Sequence, residues 1–104
     1  MDLTAELIKL QGQALETMDQ KRKFLILEVL DQKITIIVES TGKKRDISIE
    51  EIAGPIRFLF ENKKITRIEI NREMSLRNPA YVISILAKIT GAKISKKPIS
   101  LFLE

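Results

Sequence analysis

The chain has 104 residues, of which 44% are hydrophobic and 31% are charged, and its formal net charge is +4. It contains no cysteine and no histidine, which excludes disulfide bonds, thiol nucleophiles, cysteine-based zinc sites and every catalytic triad that needs histidine. The moderate positive charge permits a polyanionic partner without requiring one. We expect one domain over residues 1–104, because domains commonly have about 100–150 residues.

The distribution of apolar residues predicts a cytoplasmic protein. No apolar run approaches the roughly 18–20 residues that a membrane span requires, and the N-terminal segment lacks the positive patch and apolar stretch of a signal peptide. We therefore expect no membrane partner. Plentiful isoleucine, with lysine and glutamate as the main charges, weakly indicates a thermophile or an AT-rich genome.

The first half of the chain predicts a helix followed by strands. Apolar residues at three- and four-residue steps predict an amphipathic helix from Leu3 to about Gln20. Phe24–Leu30 is almost continuously apolar, which is typical of a strand buried on both faces. After a reversal, Lys33–Glu39 alternates as a second strand, and Arg45–Ser48 is a short candidate third strand.

Residues typical of helix boundaries predict two helices in the second half of the chain. Ser48 and Glu51 match a capping box, which predicts a helix to about Asn62. Pro55 removes a backbone donor within it, so we expect a kink or a break there. Asn78 opens a last helix with proline at its first position.

Two further strands complete the prediction, at Ile65–Ile70 and at the terminal Ile99–Leu103. The order α-β-β-(β)-α-β-α-β predicts a mixed α/β (α+β) fold, with helices packed on one mixed sheet.

Three acids are the candidate catalytic residues. Glu28, Asp31 and Glu39 lie on or beside two neighbouring predicted strands, and carboxylates suit Mg²⁺ or Mn²⁺. The other interpretation is ordinary surface chemistry at hairpin ends. We favour the latter and expect no catalytic residue, bound metal or cofactor.

One family resemblance bears on these acids. The stretch Ile36–Thr41 resembles the strand that carries the acid-x-Lys motif of the restriction-endonuclease-like superfamily, which includes Holliday-junction resolvases and Mrr-type nucleases. Arg45–Ile52 resembles the start of the following helix in that family, and the order of elements over Phe24–Ile70 is similar to its core. The resemblance implies a nuclease-like fold that engages nucleic acid.

The chain departs from that family at the motif itself. Glu39 stands at the position of the acid, but Thr41 stands where the lysine belongs. The preceding strand offers Phe24, Leu25 and Ile26 where the family keeps a metal-binding aspartate. The resemblance therefore implies a relative that does not cleave.

Basic residues form two triplets, one before the first predicted strand and one after the second. Across an antiparallel hairpin these positions lie at the same end, so six cations are expected to gather there and contact phosphates. The other interpretation is a solvated rim that discourages edge-to-edge aggregation. The six residues are Lys21, Arg22, Lys23, Lys43, Lys44 and Arg45.

The polar segment Asn71–Arg77 is longer than a median loop of about 4–6 residues. Arg72 and Arg77 are candidate contacts to a phosphate or an acidic partner, and an ordinary surface loop is the alternative.

Three functions stay open at this point. The first is a non-catalytic accessory protein that binds the phosphate backbone of DNA or RNA; few aromatic residues argue against base stacking. The second is a protein-interaction or assembly subunit, or a small inhibitor of a larger complex, with a homodimer formed through strand 65–70 or the terminal strand. The third is a metal-dependent nuclease.

Overall fold

The computed structural model describes residues 2–75 and 77–104 and confirms the mixed α/β class. The expected single mixed sheet is wrong, because the strands form two separate antiparallel sheets. None of the helices in the described ranges is long and apolar enough to cross a membrane. The helices are α1 (Leu3–Leu10), α2 (Glu50–Asn62), α3 (Arg67–Glu69), which continues into a π-helical turn (Ile70–Met74), and α4 (Pro79–Thr90); the strands are β1 (Ala14–Glu16), β2 (Lys23–Val29), β3 (Lys33–Val38), β4 (Lys44–Ser48), β5 (Lys64–Thr66), β6 (Lys93–Lys96) and β7 (Ile99–Phe102).

The first sheet is an antiparallel meander in the order β1-β2-β3-β4. The three strands predicted for this region are confirmed to within one residue at each end. The predicted burial of the first of them on both faces is wrong, because its buried residues lie on one face and Leu27 is 38% exposed. Phe24 lies opposite Val38, and both are buried on the inner face. The alternation of β3 places Ile34 and Ile36 on that same face, with Ile37 on the other.

The first helix is shorter than predicted, since it ends at Leu10 and not near Gln20. Gly12 has a φ of +82°, which glycine adopts readily. Its amide donates to the carbonyl oxygen of Ile26 at 3.0 Å, so the chain joins the sheet. Leu15 is then buried opposite Phe24. Sheet pairing thus outweighs the helical spacing of the apolar residues beyond Leu10.

The capping box before α2 is present as both reciprocal hydrogen bonds. The Glu51 amide donates to Ser48 Oγ at 3.2 Å, and the Ser48 amide donates to Glu51 Oε2 at 2.8 Å. The break expected at Pro55 is wrong, because α2 continues to Asn62. Pro55 lies in the second helical turn, where it removes one amide donor and buries its ring.

The strand predicted over residues 65–70 is also wrong beyond Thr66. Thr66 caps α3, because the Glu69 amide donates to Thr66 Oγ1 at 3.1 Å and the Thr66 amide donates to Glu69 Oε1 at 2.9 Å. This local capping box favours a helical turn after Thr66 over an extension of the strand. The polar segment expected as a loop is consequently helical as far as Met74.

The second sheet has the order β5-β7-β6, so the terminal strand is its central strand. The expectation that β7 pairs with another chain is therefore wrong, because both of its edges are occupied. The unpredicted strand β6 forms one edge, where Lys93 and Lys96 are charges of the kind that disfavour edge pairing.

Helix α4 connects the two sheets through one hydrophobic core. Six consecutive residues of this helix, 81–86, are buried. Tyr81 packs edge-to-face on Phe24, with ring centroids 5.1 Å apart and an interplanar angle of 81°. This contact places the N-terminus of α4 beside the start of β2.

Candidate nucleic-acid interface

The register of the first sheet brings both basic triplets to one end. Strands β2 and β4 each pair antiparallel with β3, so they run in the same direction and begin at the same end. Lys23 precedes the Phe24–Val38 pair, and Lys44 lies opposite Ile37. Neighbouring strands lie about 4.8 Å apart, so the two starts are separated by roughly 10 Å.

The pleat of β4 separates the second triplet between the two faces of the sheet. Arg45 pairs with the buried Ile36 and so lies at the margin of the inner face. Lys44 pairs with Ile37 and lies on the outer face. Residues adjacent in sequence therefore contribute to different surfaces.

The guanidinium of Arg45 is held in place by three groups. Its Cζ atom lies 5.4 Å from the centroid of the Tyr81 ring, within cation–π range. Its Nη1 atom donates to the Arg77 carbonyl oxygen and to Asn78 Oδ1, each at 3.4 Å. Tyr81 itself is only 6% exposed, so the aromatic support is fixed by the core.

A cleft of about 270 Å³ lies between the β1–β2 loop, β4, α3 and the N-terminus of α4. Four arginines line it, and Asp19 is the one acid among the lining residues. We call this feature the arginine cleft and define it by Arg22, Arg45, Arg67 and Arg77.

Arg67 has one side-chain hydrogen-bond donor without an acceptor among the described residues. Its Nη1 atom forms an ion pair with Asp19 Oδ2 at 3.2 Å, with the two side chains 39% and 26% exposed. Its Nε atom is buried and has no hydrogen-bond partner within residues 2–75 and 77–104. Buried polar groups are nearly always paired, so this donor indicates a place for an acceptor.

The β1–β2 loop fixes the backbone of Arg22 at the edge of the cleft. The Thr17 amide donates to the Arg22 carbonyl oxygen, and the Arg22 amide donates to Thr17 Oγ1, each at 2.9 Å. Lys21 between them has a φ of +52°, a left-handed conformation that costs a non-glycine residue about 1–2 kcal/mol. Such strain is typical of functional loops.

Asn78 links Arg45 to a carboxylate on α2. The Asn78 amide group donates to Glu51 Oε1 at 3.5 Å, and the Ser75 hydroxyl donates to the same oxygen at 2.7 Å. Partial burial acts to raise the pKa of Glu51. The hydrogen bonds from Ser75, Ser48 and Asn78 outweigh it, so the pKa lies below its ordinary value of 4.5. Glu51 is thus ionised at neutral pH and orients Asn78.

Within the described residues, the lysines at this end have no ion pair or aromatic contact of the kind that holds Arg67 and Arg45. Lys21 and Lys23 line an open groove of about 390 Å³ together with Arg22, Glu39 and Ser40. In the part of the chain that the structure describes, no ion pair involves a lysine of either triplet. We call these side chains the lysine rim: Lys21, Lys23, Lys43 and Lys44.

The three acids proposed for metal chemistry do not come together. Glu28 lies opposite Thr35, and Asp31 lies in the β2–β3 turn at the far end of the hairpin. Glu39 follows β3 at the near end, about 13 Å away along that strand from the level of Glu28. No group of three acids with metal-binding geometry occurs within the described ranges.

Three of the four arginines in the cleft are residues that the sequence singled out. Arg22 and Arg45 belong to the predicted triplets, and Arg77 was a candidate phosphate contact in the polar segment. Arg72 lies elsewhere, in a depression that also contains acids. Arg67 was missed; the Thr66–Glu69 capping box is the signal that would have placed it on a helical turn.

The chain gives no match to protein-family models, to curated proteins or to solved structures. The resemblance to restriction-endonuclease-like nucleases is therefore untested and stays a prediction.

Proposed function

We propose that this protein binds the phosphate backbone of DNA or RNA as a non-catalytic accessory protein of the cytoplasm. The observation that carries the proposal is the arginine cleft next to the lysine rim at one end of the first sheet. Arginine and lysine side chains displace the counterions condensed on nucleic acids, and this release drives backbone binding. The fixed guanidiniums supply defined contacts, while the lysines supply the surrounding positive field.

The surface favours backbone contacts over base recognition. Tyr81, the aromatic ring within the cleft, is buried beneath Arg45 and packs on Phe24. It therefore offers no exposed platform on which a base stacks. The expected partner is a phosphate chain of any sequence.

The arrangement of the acids supports binding without cleavage. Glu39 is separated from Glu28 along the hairpin, and Thr41 stands where the resembled motif has lysine. A two-metal or one-metal nuclease site needs carboxylates that converge.

Fluorescence anisotropy with single-stranded, duplex and branched DNA, and with RNA, tests the proposal at several salt concentrations. We expect binding that weakens steeply with salt. The triple substitution Lys21→Gln, Lys23→Gln and Lys44→Gln removes three rim charges and should reduce the salt slope on duplex DNA by about 2–3.

The matched control removes three exposed lysines elsewhere: Lys9→Gln, Lys64→Gln and Lys88→Gln. This variant has the same net charge as the rim variant but keeps the rim. An equal loss of affinity for nucleic acid in both variants, or binding that is insensitive to salt, would contradict a defined phosphate-binding surface.

A second candidate function is a protein-interaction module, which a different surface favours. A groove of about 290 Å³ lies between β1, α4 and β6, and Ile94 beside it is 48% exposed. Exposed apolar surface of this kind is a candidate contact for a second copy of the chain.

Light scattering over a range of concentrations tests this self-association. A dimer that Ile94→Glu dissociates supports the interaction function, and a monomer at every concentration rejects it. The apolar residues that line the groove are Leu15, Met18, Ala87, Ala92 and Ile94.

A further inference from the structure

We propose that the arginine cleft binds the terminal phosphate of a nucleic-acid strand, so that the protein prefers phosphorylated ends to internal backbone. This inference rests on the proposed nucleic-acid binding and names the group that the cleft selects. The ligand chemistry is a phosphate monoester, at either the 5′ or the 3′ end.

The shape of the cleft favours an end. Four separate parts of the chain surround it: the β1–β2 loop, β4, α3 and the start of α4. Its volume of about 270 Å³ is below the roughly 300–1,000 Å³ of pockets that hold drug-sized ligands. A phosphate with part of its sugar matches this size, whereas a continuous backbone tracks an open groove such as the one along Lys21 and Lys23.

The charge of the cleft matches a dianion. Four arginines and a single acid, Asp19, line it. A phosphate monoester carries close to two negative charges at pH 7, because its second pKa is about 6, while an internal diester carries one. A monoester also presents three terminal oxygens, and the planar fork of arginine binds such oxygens in pairs.

The arginines of the cleft are one set of donors for those oxygens. Arg67 Nε has no hydrogen-bond partner in residues 2–75 and 77–104 but is buried, so a phosphate oxygen reaches it only if the Arg67 side chain moves. The first amides of α4 provide a second set, since Pro79 has none and the first intrahelical donor is Val82, which donates to the Asn78 carbonyl oxygen at 3.0 Å. The amide of Tyr81 has no acceptor within residues 2–75 and 77–104, and the helix dipole favours an anion there.

Asp19 opposes the ligand from within the cleft. Its carboxylate already occupies Arg67 Nη1 at 3.2 Å, so an incoming phosphate meets one repulsive charge. Asp19→Asn removes that charge with little change in shape. We expect this variant to bind phosphorylated ends more tightly than the natural protein does.

The experiment compares single-stranded oligonucleotides of one sequence that end in a 5′-phosphate, in a 3′-phosphate, or in hydroxyls at both ends. We expect the full chain to bind one or both phosphorylated forms about tenfold more tightly than the hydroxyl form, which corresponds to about 1.4 kcal/mol. Arg22→Gln should abolish this ratio, and because Arg22 is exposed the variant should keep its melting temperature. Arg45→Gln should abolish the ratio as well.

The lysine-rim variant is the matched comparison, since it should weaken all three oligonucleotides equally and keep the ratio. Equal binding of all three by the natural protein overturns the terminal-phosphate inference and leaves backbone binding standing. Failure to bind any of them overturns the terminal-phosphate inference, and the titrations with duplex DNA, branched DNA and RNA then decide backbone binding.

The pH dependence gives an independent readout. The charged protein groups that face the ligand are Asp19 and the four arginines of the cleft, and the chain has no histidine. A phosphate monoester takes up its second proton near pH 6, so the ligand brings a charge change of its own between about pH 5 and pH 7. The preference for phosphorylated ends should decline as the pH falls through about 6; a ratio that stays constant across this range contradicts recognition of the dianion.

Discussion

The arginine cleft and the lysine rim lie at the same end of the first sheet, yet their side chains are held differently. Arg45 is fixed by an aromatic ring, a carbonyl oxygen and an amide oxygen, and Arg67 is fixed by Asp19. The lysines make no ion pair within the described part of the chain. The held guanidiniums of Arg45 and Arg67 define a site, whereas ammonium groups provide attraction of lower specificity.

The difference arises from the fold and not from sequence adjacency. The pleat of β4 assigns Lys44 to the outer face and Arg45 to the inner margin. Arg67 and Arg77 come from segments far along the chain from Arg22. Stability measurements should therefore separate the two regions, because the cleft is connected to the core and the rim is not.

The largest change in the free energy of unfolding is expected for a core residue beneath the arginine cleft. Phe24→Ala removes a fully buried ring that supports Tyr81, and we expect it to lower the free energy of unfolding by about 3–5 kcal/mol. Leu25→Ala, on the opposite face of the same strand and only half-buried, should cost about 1 kcal/mol. Chemical denaturation measures both, and similar losses at the two positions would contradict the assignment of inner and outer faces.

A smaller effect is expected at the carboxylate that supports Arg45. Glu51→Gln should lower the free energy of unfolding at pH 7 by about 1 kcal/mol, since it weakens charge-assisted hydrogen bonds at a partly exposed position. The pKa of Glu51 is lowered in the folded protein. Its contribution is therefore fully present above its ordinary pKa of 4.5 and is lost as the pH falls through the folded value.

The pH series gives the control for this prediction. The stability difference between the natural protein and Glu51→Gln should be constant above about pH 5 and shrink in more acidic solution. A difference that grows on acidification would have the wrong sign for a carboxylate stabilised in its ionised form.

In the loop that carries Arg22, a substitution is expected to raise the free energy of unfolding. Lys21→Gly relieves a left-handed residue with a φ of +52° and should stabilise the fold by about 0.5–1 kcal/mol. Lys23→Gly, in the extended strand β2, should destabilise it by a similar amount. Thermal unfolding of the two variants, which lose the same charge, distinguishes backbone strain from electrostatics.

The smallest effect is expected at the rim itself. Lys44→Gln should change the free energy of unfolding by less than about 0.5 kcal/mol, because an exposed side chain without an ion pair contributes little. Its effect should instead be seen in the salt dependence of nucleic-acid binding. A large loss of stability would show that Lys44 has a structural role.

Local patterns predicted the bounds of β2 and β3 to within one residue, because the apolar run in β2 and the apolar alternation in β3 have no competing helical signal. They failed at Ala14–Glu16, whose apolar residues fit a helical stripe until pairing with β2 is known. They also failed after Thr66, where a capping box competes with strand extension. The arginine cleft was only partly predictable, because Arg67 and Arg77 reach it through tertiary packing. The spacing of residues along the chain does not show which distant segments pack together.

The most direct measurement is NMR of the isotopically labelled full chain, titrated with a phosphorylated oligonucleotide. Backbone amide and arginine Nε–H signals report each residue separately. We expect shifts that concentrate on the β1–β2 loop, the start of β4, the side chains of Arg22, Arg45, Arg67 and Arg77, and the first turn of α4. Shifts centred on the last turns of α2 or α4, or no shifts at millimolar oligonucleotide, would contradict it.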